Sequence, residues 1–231
     1  MKFRHLRADV HFVKVGGKII VLDIPCDQYH IFNADDSENF LAVLTKPVKT
    51  LSVSRRLENL LDPECFDHVD EKVGQEGLTP WLPRGMDSNS WRLRSQDIDA
   101  VGVRWLVSGM IALHRSHALL QSQGFAGLVK DLRAQRTRRA RRFTESSAPV
   151  ENLISALNLA ALLFPRPTRC LPWAAAMAYL LRKHTLAAPN LIIGVQNAPF
   201  YAHAWVEINR AVVGDVPERR EQLAVICTIE A

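Results

Sequence analysis

The apolar positions of this chain change their period several times. Between Val10 and Phe32 they fall into three short blocks, VHFVKV, KIIVLDI and YHIF, separated by Gly16-Gly17 and by PCDQ. β-Branched blocks bounded by turn residues predict strands, and a glycine pair between two of them predicts a two-residue hairpin with positive φ at both central positions. A three-stranded antiparallel meander is therefore expected. Asn33 to Ser37 then supplies N-cap candidates ahead of Phe40, Leu41, Val43 and Leu44 at helical spacing. Leu51, Val53, Leu57, Leu60 and Leu61 predict a second helical stretch, and a third is expected from Pro63-Glu64-Cys65-Phe66-Asp67 through Val73. Strands followed by short helices outline a winged-helix module.

The stretch from Leu78 to Arg94 carries Pro80, Pro83, Gly85 and several polar residues and reads as a linker, so the chain is divided into units 1–84 and 85–231. The second unit opens with a helical lead-in over 97–143, where Val101, Val103, Leu106, Met110 and Leu113 recur at roughly helical spacing until Gly124 breaks the pattern. Val150 to Phe164 is a strongly apolar helix, ended by Pro165 and Pro167, which cannot continue the ladder. Another helix is expected from Cys170 to His184, followed by the strands NLIIGV and YAHAWVEI and a short returning strand, AVVGD. The expected class is α+β, with a helix packed on an antiparallel sheet in the second unit.

Composition narrows this little. A chain of 231 residues with 48% apolar and 23% charged residues can build an ordinary core without covalent staples. Cys26, Cys65, Cys170 and Cys227 are widely spaced, without a CxxC pair or a histidine cluster at ligand spacing, so neither a disulfide framework nor a metal site is expected. The amino terminus lacks the apolar run of a signal peptide, and no stretch approaches the roughly 18 apolar residues of a membrane span. The expectation is a cytoplasmic protein with reduced thiols. The net charge of +5 is concentrated in Arg133, Arg136, Arg138, Arg139, Arg141 and Arg142. That cluster reads first as a solvated helix face; a docking surface, a phosphate site or nucleic-acid contact are the alternatives, and the lack of interleaved aromatics argues against single-stranded nucleic acid.

The chemistry lies in the second unit. A cysteine in the first helical turn meets unpaired amides and the positive end of the helix dipole, which favour thiolate over thiol, and Pro172 supports a helix start at Cys170. Alternation in YAHAWVEI puts His203, Trp205 and Glu207 on one face and Ala202, Ala204, Val206 and Ile208 on the other. A reversal at Asn209-Arg210 brings AVVGD back beside that strand, so Asp215 can approach the imidazole. Thiol, imidazole and carboxylate in this order supply a nucleophile, a base and an orienting group. The bland alternative is a buried small apolar cysteine and a hydrogen-bonded core histidine.

The run CLPWAAAMAYLLRKH and the segment LIIGVQNAPFYAHAWVEINRAVVGD, with IGV-x3-PF and HAWVE as their most specific pieces, resemble the leader peptidases of lasso-peptide biosynthesis, the lasso B proteins, which are related to transglutaminase-like and papain-like cysteine proteases. The resemblance covers roughly the last 80 residues. It implies a cysteine peptidase that removes the leader from a ribosomally made precursor, with Cys170 as nucleophile, His203 as general base and Asp215 as orienter. It implies as partners the precursor and an asparagine-synthetase-like cyclase that closes the macrolactam; no cofactor is implied, and any ATP requirement enters through that cyclase. Relatives turn at Asp-Gly where this chain has Asn209-Arg210, and arginine is less suited to positive φ; Trp173 either lines a pocket or packs. The amino-terminal half resembles the PqqD-like recognition element that binds leader peptides, on the strength of VGGKIIVLDI-x5-YHIF. By that resemblance the leader adds as a strand at Tyr29, His30, Ile31 and Phe32. A non-catalytic leader-binding scaffold, and acyl transfer to an amine in place of water, are the competing functions.

Overall fold

The computed structural model describes residues 2–48, 53–69, 83–86, 101–139, 149–185 and 187–231. A strand that the apolar pattern does not announce, β1 (Phe3–Leu6), precedes the expected meander of β2 (Val10–Val15), β3 (Lys18–Asp23) and β4 (Gln28–Phe32). The meander is antiparallel in the order β2-β3-β4, with Val15 opposite Lys18 at the first turn and β4 paired only with β3 among the described residues. Of the glycine pair in that turn, Gly16 alone takes positive φ (60°), so the hairpin needs one left-handed residue where two were expected.

Both faces of the meander are covered. Val10, Phe12, Ile19 and Val21 meet Phe40, Val43 and Leu44 of α1 (Ala34–Thr45) in one core cluster, while Val13, Val15, Ile20 and Leu22 join a larger cluster built with the carboxy-terminal helices and strands. Two-sided burial explains why these strands read as near-continuous apolar runs. At the start of α1 the Asn33 side chain accepts the Asp36 amide at 2.8 Å, as the N-cap reading expects.

The next two expected helices are corrected. Among the described residues of these stretches Arg55–Glu58 forms a helical turn, α2, and Leu61–Phe66 is a strand, β5, antiparallel to β1. Leu57, Leu60 and Leu61 still reach one core cluster, but from a turn and a strand. A first helical turn would tolerate Pro63, but β1 gives this segment a ladder partner, and on the short β1–β5 ribbon the missing amide is tolerated as well. The remainder of that expected helix, to Val73, and most of the expected linker lie outside the described residues.

The long α3 (Val103–Arg139) turns at Gly124, whose φ of 63° and ψ of −165° are not helical. Arg115 and Asp131 lie 16 residues apart, which is about 24 Å along a straight helix, yet their side chains are 2.7 Å apart. The element is thus a helical hairpin folded back at Gly124, as the break in the pattern suggested. Tyr179 donates its hydroxyl to the same Asp131 at 2.6 Å and ties the hairpin to the helix that begins at Cys170. Within the arginine cluster, Arg133 pairs with Asp9 at 2.7 Å; Arg141 and Arg142 lie outside the described residues.

Then follow α4 (Val150–Leu163), α5 (Cys170–His184), β6 (Asn190–Gln196), β7 (Tyr201–Ile208), β8 (Ala211–Val213), α6 (Arg219–Gln222) and β9 (Ala224–Glu230). The four strands form one antiparallel sheet in the order β8-β7-β6-β9. Strand β9 was not expected; it pairs along β6, from Asn190 opposite Glu230 to Val195 opposite Ala224, and closes the sheet against β2. Asn209 and Arg210 both take positive φ, 51° and 68°, so the β7–β8 turn is a primed two-residue hairpin despite its arginine. Among the described residues no helix is long and apolar enough to cross a membrane.

Candidate active site

Three elements meet at one end of the β7–β8 hairpin. Cys170 is the first residue of α5, half-buried, on a helix whose eleven positions from Pro172 to Arg182 are all buried. With no polar side chain capping that start, the thiol sits among the free amides of the first turn. His203 lies on β7 and is 1% exposed. Its register partner on β6 is Gly194, where a Cβ would come within 2.6 Å of the Trp205 ring and 3.0 Å of Leu223 Cβ. The glycine lets the indole of Trp205 lie flat across the sheet, and the His203 ring stacks at 6.2 Å on that indole and at 6.1 Å on Tyr201.

Asp215 follows β8. Gly214, just before it, takes φ of 69°, and a Cβ there would meet the Trp173 ring at 2.4 Å. Trp173 is 3% exposed and donates its indole N–H to Asn158 at 3.0 Å, so it packs in the core and fixes the approach of the chain to Asp215. That settles its role as a support.

His203 Nε2 and Asp215 Oδ2 are 2.6 Å apart. The carboxylate can only accept, so Nε2 carries the proton and Nδ1 is left for the thiol. Nδ1 is buried and has no partner of full hydrogen-bond geometry among the described residues; the thiol of Cys170 is nevertheless within reach to act on this imidazole. Such loose contacts tighten when the thiolate forms.

The electrostatics favour an ion pair. Burial alone would raise the Cys170 thiol, but the hydrogen bond and charge of His203, helped by the amides of Ala204 and Leu171, bring it below its ordinary value. Burial would likewise lower His203, and Asp215 and Cys170 reverse that and raise it. Asp215 is held below the usual carboxylate range: burial works against this, and His203, Arg219 and the Val216 amide outweigh it.

Sequence reasoning missed Arg219. It is 7% exposed, and its Nε and Nη2 donate to Asp215 Oδ1 at 2.8 and 2.6 Å, while Nη1 donates to Gln222 at 2.9 Å. With the Val216 amide at 2.7 Å on the same oxygen, one carboxylate oxygen is locked by the backbone and Arg219 and the other is reserved for His203. The only signal was the four-residue spacing from Asp215 inside a run, ERREQ, that otherwise reads as solvated surface.

The four residues expected to bind a leader divide between two faces of β4. Phe32 is 3% exposed and packs on Phe40, with Arg56 over its ring, so it offers only main chain. His30 lies opposite Val21, on the same face as Phe32. Ile31 and Tyr29 lie opposite Ile20 and Leu22, towards the carboxy-terminal cluster, and Tyr29 meets Phe200 at 5.4 Å. The strand therefore begins near Phe200 and Cys170. Among the described residues no three His, Cys, Asp or Glu side chains converge to hold a metal ion.

The pH dependence of alkylation follows from these shifts. The rate of reaction of Cys170 with iodoacetamide should show its alkaline step where the imidazolium is lost, above the ordinary 6.5 of a histidine, as a property of the coupled pair. Asp215→Asn removes the carboxylate that raises His203, so this step should move to lower pH. An unmoved alkaline step would break the assignment of Asp215.

No solved structure matches this chain. Over 60 residues it is 40% identical to the Microcin J25-processing protein McjB of Escherichia coli, a stretch that covers 26% of this chain and 28% of that protein. The matched stretch thus spans little more than a quarter of the length of the curated relative. The profile of the transglutaminase-like superfamily matches residues 110–228, just over half of the chain, and encloses Cys170, His203 and Asp215. With a helix-start thiol facing a histidine on β7 and an aspartate just past the end of β8, this chain belongs to the transglutaminase-like superfamily.

Proposed function

We propose that this chain is a cysteine peptidase that removes the leader from a ribosomally made lasso-type precursor, acting in the cytoplasm before an asparagine-synthetase-like partner closes the macrolactam. The observation that carries the reading is the Cys170–His203–Asp215 constellation, in which a depressed thiol faces the free nitrogen of an imidazole fixed through its other nitrogen. The name of the Escherichia coli relative speaks of processing of microcin J25, which supports a peptide-processing role.

In the reaction, His203 Nδ1 takes the Sγ proton and the thiolate attacks the carbonyl carbon of the scissile peptide bond. The tetrahedral oxyanion is met by amides at the start of α5. Its collapse breaks the C–N bond, and the imidazolium gives its proton to the departing amine of the core peptide. Water, deprotonated by His203, then attacks the thioester and releases the leader as a carboxylate with return of the thiol. Asp215 holds the Nε2–H tautomer and stabilises the imidazolium throughout.

The amino-terminal unit, residues 1–84, serves in this reading as a PqqD-like winged-helix recognition element, and residues 85–231 as the peptidase. The leader adds along Tyr29 to Phe32, at the edge of β4 that has no strand partner among the described residues. No cofactor is required for the hydrolytic chemistry, and any need for ATP belongs to the partner cyclase.

The test is incubation of the purified protein with its precursor peptide, read by mass spectrometry. Free leader and free core are expected. An intact precursor would favour a binding scaffold, and a leader joined to an added amine would favour acyl transfer, either of which would overturn hydrolysis.

A further inference from the structure

Two large rings remain open to solvent beside an otherwise buried centre. Tyr29, at the start of β4, is 36% exposed and Phe200, immediately before β7, is 39% exposed, and they meet edge to face with centroids 5.4 Å apart. Phe200 leads directly into Tyr201, which stacks on His203, while Ile31, Ala202 and Cys170 pack against one common cluster. The loop that carries Phe200 is fixed from below: the buried Gln196 donates to the Pro199 carbonyl at 3.1 Å and accepts the Met86 amide at 2.8 Å. Burial on the inner side of the ring, and then the charge of Cys170, hold the Tyr29 hydroxyl well above its ordinary value.

Strand direction gives this pair a role. β4 runs from Gln28 to Phe32 with its Tyr29 end at the catalytic centre, and among the described residues no further strand pairs with its outer edge. A peptide added antiparallel to that edge enters at Phe32 and leaves at Tyr29, so its carboxy-terminal end arrives at the thiol. A parallel strand would deliver the wrong end. The residue whose carbonyl is attacked then lies where the two rings are exposed, and only an apolar side chain covers aromatic surface there without stranding a polar group.

We propose that Tyr29 and Phe200 together form the side-chain subsite for the substrate residue that donates the scissile carbonyl, and that this subsite selects an aliphatic side chain. The proposal rests on the leader-peptidase reading for the direction of approach. It makes the amino-terminal meander and the catalytic domain joint owners of specificity, since each supplies one of the two rings.

Capped dipeptidyl vinyl sulfones, which add the Cys170 Sγ–H across their double bond, test the subsite without the precursor. Probes differing only in the warhead residue, Leu, Val, Gly or Asp, are compared by second-order inactivation rate. Wild-type protein should react with the Leu or Val probe about 10- to 100-fold faster than with the Gly or Asp probe. Tyr29→Ala and Phe200→Ala should each shrink that ratio to within about threefold and Tyr29→Phe should keep it, each probe rate being divided by the same variant's own rate with iodoacetamide. Equal rates in the wild type, or an intact preference in both alanine variants, would overturn the subsite. A fall of every probe rate in step with the iodoacetamide rate would overturn it too, by making the rings structural supports. Aliphatic preference in a protein that leaves its precursor intact would defeat the leader-peptidase reading alone, and cleavage without preference would defeat the subsite alone.

Discussion

Replacing Cys170 with alanine should abolish release of the leader, with a loss of roughly 10⁴-fold or more, because no other group near His203 can form the acyl intermediate. Cys227 cannot substitute: it is 3% exposed on β9, opposite Ile193 in the sheet. Leader binding should persist, since Cys170 lies on α5 and the recognition edge is on β4. Stability should change by less than about 1 kcal/mol, as only a half-buried sulfur is removed. Cleavage measured by mass spectrometry and leader affinity measured by fluorescence anisotropy separate the two effects. Undiminished cleavage in the variant would remove Cys170 from the chemistry.

Asp215→Ala should show the second-largest effect, and on two readouts. Loss of the carboxylate frees the imidazole to rotate and to change tautomer, which should lower kcat by roughly 10²- to 10⁴-fold, less than loss of the thiol. It also leaves Arg219 buried at 7% exposure without its anion. Breaking one side of such a pair typically costs about 3–5 kcal/mol, so the denaturant midpoint should fall sharply. Replacing Arg219 as well, in Asp215→Ala with Arg219→Met, should restore most of the stability and none of the activity. A single variant with the wild-type midpoint would show that Arg219 finds another partner, and a double variant as active as wild type would remove Asp215 from the mechanism.

The carboxy-terminal half was legible because its signals are local. Pro165 and Pro167 end α4, Pro172 sits where a first turn tolerates it, and the alternation in YAHAWVEI divides a core face from the face that carries His203, Trp205 and Glu207. Even the Asn209-Arg210 turn kept its hairpin: the pairing of Ile208 with Ala211 and the packing of Val213 outweigh an unfavourable arginine φ. Long-range features were not legible. β9 joins β6 from more than thirty residues away, and β1 meets β5 across almost the whole amino-terminal unit. In β5 the sequence LDPECF carries a proline that argues against a strand, and only an edge position makes it tolerable. Arg219 escaped for a related reason. A charged residue in a polar run looks solvated until the fold buries a carboxylate beside it. Gly214 was read only as part of the returning strand AVVGD, and its role in making room for Trp173 exists only in three dimensions.

The acyl-enzyme itself offers the most direct test of Cys170 as the nucleophile of a leader peptidase. Protein mixed with its precursor and quenched in acid within the first turnover should carry added mass equal to the free leader less one water. Peptide mapping should place that adduct on Cys170, and hydroxylamine should release it as expected of a thioester. Release of the leader with no adduct on Cys170 at any time, under conditions that trap a thioester in a control cysteine peptidase, would contradict covalent catalysis by this residue.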